Sequence, residues 1–136
     1  MIFDKELMFV EDDGTERTNV TTGALGRALD LGVAGWGKGR RGFVALTFHK
    51  DTTATGDPEI KLSLHTSADE SFTEPVIIPL SLPMPLKKEQ MAEGMSLAAP
   101  LPVMGLERYV KLHIETDGPL ACTGMEAGLV LDANEV

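Results

Sequence analysis

Within residues 107–116, ERYVKLHIET, apolar and polar side chains alternate from Tyr109 to Glu115. Val110, Leu112 and Ile114 fall on one side, and Tyr109, Lys111, His113 and Glu115 on the other. Successive side chains of a β-strand point to opposite faces, so this stretch predicts a half-buried strand with one oily and one wet face. Each apolar residue it buries contributes roughly 1.5–3 kcal/mol. A lone strand cannot bury that face, so the rest of the chain must supply a sheet and a second layer.

The neighbours are present. Residues 43–48, FVALTF, are apolar on both faces, which predicts a strand central in a sheet. Residues 59–66 alternate, with Ile60, Leu62 and Leu64 inward and Lys61, Ser63 and His65 outward. These two are expected to form an antiparallel hairpin with a long connection. Further strands are expected around 18–22, 29–31, 76–78, 95–101 and 123–132. In the last, Met125, Ala127, Leu129 and Leu131 share a face. Pro79, Pro83 and Pro85 keep the segment after 78 at an edge or out of the sheet. Residues 87–93 predict a helical turn. Gly32, Gly35, Gly37, Gly39 and Gly42 make 32–42 a loop, and it carries the only tryptophan, Trp36. About eight short strands with turn signals between them predict an all-β fold, an antiparallel two-sheet jelly-roll sandwich. The 136 residues are expected to form a single jelly-roll domain, with 133–136 frayed and 1–10 a candidate N-terminal arm, although the pattern at 2–10 also allows a first strand or a short helix.

Charge narrows the function. Twenty-one acids against 12 bases give a net charge of −9, which repels a phosphate backbone and argues against nucleic-acid partners. The opening residues are acidic with only short apolar runs, so no signal peptide is expected. No apolar run approaches the ~20 residues of a membrane span, so no membrane partner is expected. Cys122 is the only cysteine, which excludes an intrachain disulfide and suits a reducing compartment.

The candidate chemical motifs fail on context. Residues 37–42 spell G-x-G-x-x-G and 32–38 spell G-x-x-x-x-G-K. Both phosphate-binding motifs require a helix to follow, and here a strand follows. Gly39 also stands where the magnesium-binding Ser or Thr belongs. His49, His65 and His113 lie on or beside strands, but nothing in the sequence fixes their adjacency, and surface imidazoles are expected. Cys122 lies among small residues with no activating base nearby in sequence. No cofactor, metal or catalytic activity is expected. Interface residue types remain: Trp36 with Arg40 and Arg41 in the glycine-rich loop, Arg108 with Tyr109, and Ile2, Phe3, Leu7, Met8 and Phe9, which show no clean core pattern.

The order of several short segments resembles the capsid cement (decoration) proteins of tailed bacteriophages, the small jelly-roll family of short-tailed phages. The segments are Met1-Ile2-Phe3-Asp4-Lys5-Glu6-Leu7, the turn Asp30-Leu31-Gly32, and the stretch from Leu62 to Phe72, which fits an L-x-T-S-x-D-x-x-F run. Pro100-Leu101-Pro102, Arg108-Tyr109-Val110-Lys111-Leu112 and Ala127-Gly128-Leu129-Val130-Leu131-Asp132 complete it. The loop at 35–42 departs from the family by its arginines, which leaves its contact role open. The resemblance implies a structural virion protein on the outer face of an assembled icosahedral capsid, made in the bacterial host cytoplasm. It would cement neighbouring major capsid proteins and act as a homo-oligomer, a dimer ahead of a trimer. Residues 1–10 would be its leading shell or subunit contact, and deleting residues 1–9 is expected to leave the fold soluble. The alternative from another class is a carbohydrate-binding β-sandwich module, for which one Trp, one Tyr and five Phe are a poor supply of platform residues.

Overall fold

The computed structural model describes residues 7–11, 17–36, 42–82, 84–102, 105–122 and 124–131. Among them the chain forms β1 (Met8–Val10), β2 (Arg17–Val20), β3 (Gly23–Ala24), β4 (Leu29–Asp30), β5 (Gly42–Phe48) and β6 (Thr53–Ala54). It continues with β7 (Ile60–Ser67), β8 (Val76–Pro79), β9 (Ser96–Pro100), β10 (Tyr109–Thr116), β11 (Leu120–Cys122) and β12 (Met125–Leu131). A 3-10 turn, Lys88–Met91, is the helical element expected at 87–93, and it buries Met91.

All strand pairing is antiparallel. One sheet runs β1-β12-β5-β9, and the other runs β3-β10-β7-β8 with β4 also on β10. Their inner faces meet in one core, with Phe9, Val44, Leu46, Phe48, Met125 and Leu129 from the first layer and Ile60, Leu62, Leu64, Val110, Leu112 and Ile114 from the second. The result is an antiparallel sandwich, an arrangement that fits a jelly roll. A small third sheet, β2-β11-β6, contributes Leu120 and Cys122 to the same core.

The strand at 107–116 becomes β10, central in its sheet. Val110, Leu112 and Ile114 are fully buried, and β10 pairs residue by residue with β7 from Tyr109–Ser67 to Thr116–Ile60. Likewise β5 is central, flanked by β12 and β9, as its apolar run demands. The proline-bearing β8 pairs only with β7 and so forms an edge, where the missing N–H of Pro79 is tolerated. Beyond it the chain returns to the sheet, because Leu86 and Ile60 exchange both backbone hydrogen bonds at 2.7 and 2.9 Å.

Two expectations require correction. There are more than eight strands, because the unexpected β3, β6 and β11 are pairings of two or three residues, too short to produce an alternating pattern. The predicted hairpin between 43–48 and 59–66 does not form: β5 and β7 lie in different sheets. Between them the His49 amide bonds to the Gly124 carbonyl, the Thr52 amide bonds to the Met91 carbonyl, and β6 joins β11. The connection is therefore a crossing between layers, and each strand finds its partners far away in sequence.

Candidate functional site

Burying Val110, Leu112 and Ile114 inward sends the alternate residues of β10 outward, and the same holds for β7. The register then sets Tyr109 beside Ser67, Lys111 beside His65, His113 beside Ser63 and Glu115 beside Lys61. Across this outer face His65 and His113 lie diagonally and stack, with ring centroids 4.3 Å apart and planes inclined by 19°. The Lys111 ammonium sits 4.4 Å from the centre of the Phe72 ring, within the range of a cation–π contact.

Phe72 is held there by its loop. Its φ of 53° is rare for a bulky side chain and costs about 1–3 kcal/mol. Local hydrogen bonds offset it: the Phe72 amide donates to the Asp69 carbonyl, and the Asp69 carboxylate accepts from the Thr73 amide and the Ser67 hydroxyl. The Thr73 amide bond comes first among the causes that hold the Asp69 carboxyl below its ordinary pKa.

A second cluster continues the face past the start of β10. The Arg108 guanidinium donates to both carboxylate oxygens of Asp30, at 2.8 and 3.0 Å, and lies 5.0 Å from the centre of the Tyr109 ring. Asp30 also accepts from the Gly32 amide at 2.9 Å. The Arg108 hydrogen bonds, followed by that amide, keep the Asp30 carboxyl below its ordinary pKa. The backbone is tied as well: the Leu31 amide donates to the Arg108 carbonyl, the Leu106 amide to the Trp36 carbonyl and the Gly35 amide to the Leu106 carbonyl. Gly105 makes the close approach possible, since a Cβ there would press on the Gly35 carbonyl.

Trp36, Arg108 and Tyr109, singled out from sequence alone, thus fall along one strip where 29–36 runs beside 106–110. Trp36 is half-buried and packs against the core. The arm residues fare differently. Met8 and Phe9 are 6% and 2% exposed, and their strand pairs with β12. They are core, because the four-stranded sheet would otherwise leave β12 with an open apolar edge, so neither offers a surface to a partner. Leu7 is half-buried and packs on the same core. Ile2, Phe3, Arg40 and Arg41 lie outside the described residues.

Sequence reasoning missed the histidine stack, the Phe72–Lys111 contact and Ile77, which is 59% exposed on the edge strand in register with His65. The alternation placed His65 and His113 on wet faces, but their adjacency depends on the register between β7 and β10, which are distant in sequence. The stack does not form a chelate. Ring-nitrogen lone pairs lie in the ring planes, and nearly parallel planes aim them alongside one another. Among the described residues no group of three or more histidine, cysteine or carboxylate side chains could hold a metal ion. Cys122 is buried in the core.

What this face can do is bind. It joins arginine, tyrosine, phenylalanine and exposed aliphatic side chains, several already locked by partners, and such side chains lose little freedom when a second surface covers them.

Comparison with known proteins gives one family. The family model Bbp16 matches residues 15–129, and the chain belongs to that phage-associated family. No curated protein matches it.

Proposed function

We propose that this member of the phage-associated Bbp16 family is a capsid cement protein, which binds the outer surface of an assembled icosahedral shell and ties neighbouring major capsid proteins together. The observation that carries the reading is the outer face of the β3-β10-β7-β8 sheet. There Arg108 is fixed on Asp30 and Tyr109, and Phe72 is fixed on Lys111. A cement adds interfaces to a shell and needs a stiff scaffold with a prepared surface. Many weak copies then sum through multivalency. The net charge of −9 favours a protein surface over packaged nucleic acid. The protein would act as a homo-oligomer, a dimer ahead of a trimer, on the virion exterior, without cofactor or catalysis.

The sequence resemblance and the phage-associated family point the same way. The carbohydrate-binding alternative has less support, because the faces of Tyr109 and Phe72 that would stack on a sugar are each approached by a cation of the chain itself.

Co-sedimentation tests the proposal. Purified protein mixed with shells that lack it should pellet with them, and the double variant R108A/Y109A should stay in the supernatant while keeping its fold. Equal pelleting of the variant would remove this face from the contact. No pelleting of either would remove the cement role.

A further inference from the structure

The histidine stack sits beside the Lys111 ammonium. From β7, Lys61, Ser63 and Ser67 share the outer face with His65, and from β10, Tyr109, Lys111 and Glu115 share it with His113. The edge strand β8 contributes Ile77 and Pro79, which carry no charge, and β3 contributes Ala24 beside His113. From the loop above, Phe72 covers Lys111, and Asp69 is engaged by Ser67 and Thr73. Of the carboxylates on this face, Glu115 lies in register with Lys61, and Asp30, on β4, is engaged by Arg108. Among the described residues no carboxylate comes within ion-pair distance of either ring, whereas His49 has Glu126 at 3.5 Å. Two imidazoles 4.3 Å apart, with an ammonium on the neighbouring strand position, cannot both take protons without mutual repulsion.

We propose that the His65–His113 stack is an acid-sensitive latch on the docking face. With both rings neutral it holds β7 and β10 side chains in the arrangement that seats Phe72 on Lys111. Protonation sets two like charges together beside Lys111, parts the rings and loosens that cluster. The consequence for a partner rests on the docking role proposed above; the latch itself does not.

The direction of the pH effect follows from proton counting. Burial first, then the charges of His113 and Lys111, lowers the His65 pKa from its ordinary value of 6.5. The folded chain then binds fewer protons than the unfolded chain. The stabilisation is complete above the ordinary histidine pKa and is lost as pH falls through that value toward the lower folded one. Mild acid opens the latch.

The test is an NMR titration of the imidazole protons in the intact isolated chain. His65 should titrate below the ordinary histidine value, and its midpoint should rise in H113Q and also in K111Q. A His65 midpoint that stays put in both variants would overturn the latch, since burial alone would then explain the shift. Thermal unfolding provides a second reading that is independent of assignments. The loss of melting temperature between about pH 7.5 and about pH 5.5 should shrink in H65Q/H113Q, and an unchanged loss counts against the proposal. Shell binding separates the two claims. If the titration behaves as stated but the wild-type protein pellets equally with shells at both pH values, the latch stands and the docking face falls.

Discussion

Arg108 and Asp30, 78 positions apart in the chain, meet through two parallel hydrogen bonds at 2.8 and 3.0 Å. The pair clips β4 onto the start of β10 and aims the guanidinium at Tyr109. Because both side chains are about half exposed, the fork positions the surface more than it stabilises the fold. R108A should therefore leave the global unfolding midpoint nearly unchanged while speeding hydrogen exchange at the Leu31 amide, which bonds to the Arg108 carbonyl. R108K should restore this only in part, since an ammonium cannot reproduce the two-pronged contact. The folded Asp30 carboxyl titrates below its ordinary value, so its contribution is present above the unfolded carboxyl pKa and disappears as pH falls through the lower folded one.

Phe9 distinguishes a core strand from a detachable arm. It is 2% exposed and packs in the shared core. Phe9→Ala should cost about 3–5 kcal/mol in urea unfolding, the range for emptying a buried aromatic site. A residue on a free arm would change stability by less than about 0.5 kcal/mol. Deleting residues 1–9 should likewise compromise the fold, because it removes most of β1.

Two glycines share a backbone conformation but not a neighbourhood. Gly26 and Gly56 both have φ near +81°, yet a Cβ at Gly26 would overlap the Phe9 carbonyl and the Val10 side chain, while at Gly56 it would meet open space. Gly56→Ala should cost roughly 1–2 kcal/mol for the left-handed backbone alone. Gly26→Ala should cost at least about 1–3 kcal/mol more, because it pries β1 from the segment whose Arg27 bonds the Met8 and Phe9 carbonyls. Parallel urea titrations measure the difference.

The edge strand β8 leaves Val76 and Ile77 more than half exposed with no charged guard residue in the strand. Such an edge invites pairing with another chain. Ile77→Lys should keep stability within about 0.5 kcal/mol of the parent and reduce any self-association seen by sedimentation. Identical sedimentation of parent and variant would exclude this edge from the subunit contact.

Much of the sandwich was legible in the sequence because burial writes itself into side-chain alternation. Val110, Leu112 and Ile114 announced β10, and the unbroken run at 43–48 announced a central β5. Partnership was not legible. Whether β7 pairs with β5 or β10 depends on where the chain crosses between layers, and residues 49–59 carry turn signals that suit a hairpin as well as a crossing. Short pairings such as β3 and β6 leave no periodicity to read. The candidate face was half legible: Arg108, Tyr109 and Trp36 stood out by residue type, whereas Phe72 and the histidines acquired meaning only from the β7–β10 register. Met8 and Phe9 misled because three consecutive buried residues in β1 hide the alternation.

The most direct test of the docking account is a cryo-electron microscopy reconstruction of phage shells saturated with this protein. The account predicts ordered density on the outside of the shell, bridging neighbouring capsid subunits, with Phe72, Arg108 and Tyr109 at the contact. Density placed with that face toward solvent, or bare shells at saturating protein, would contradict it.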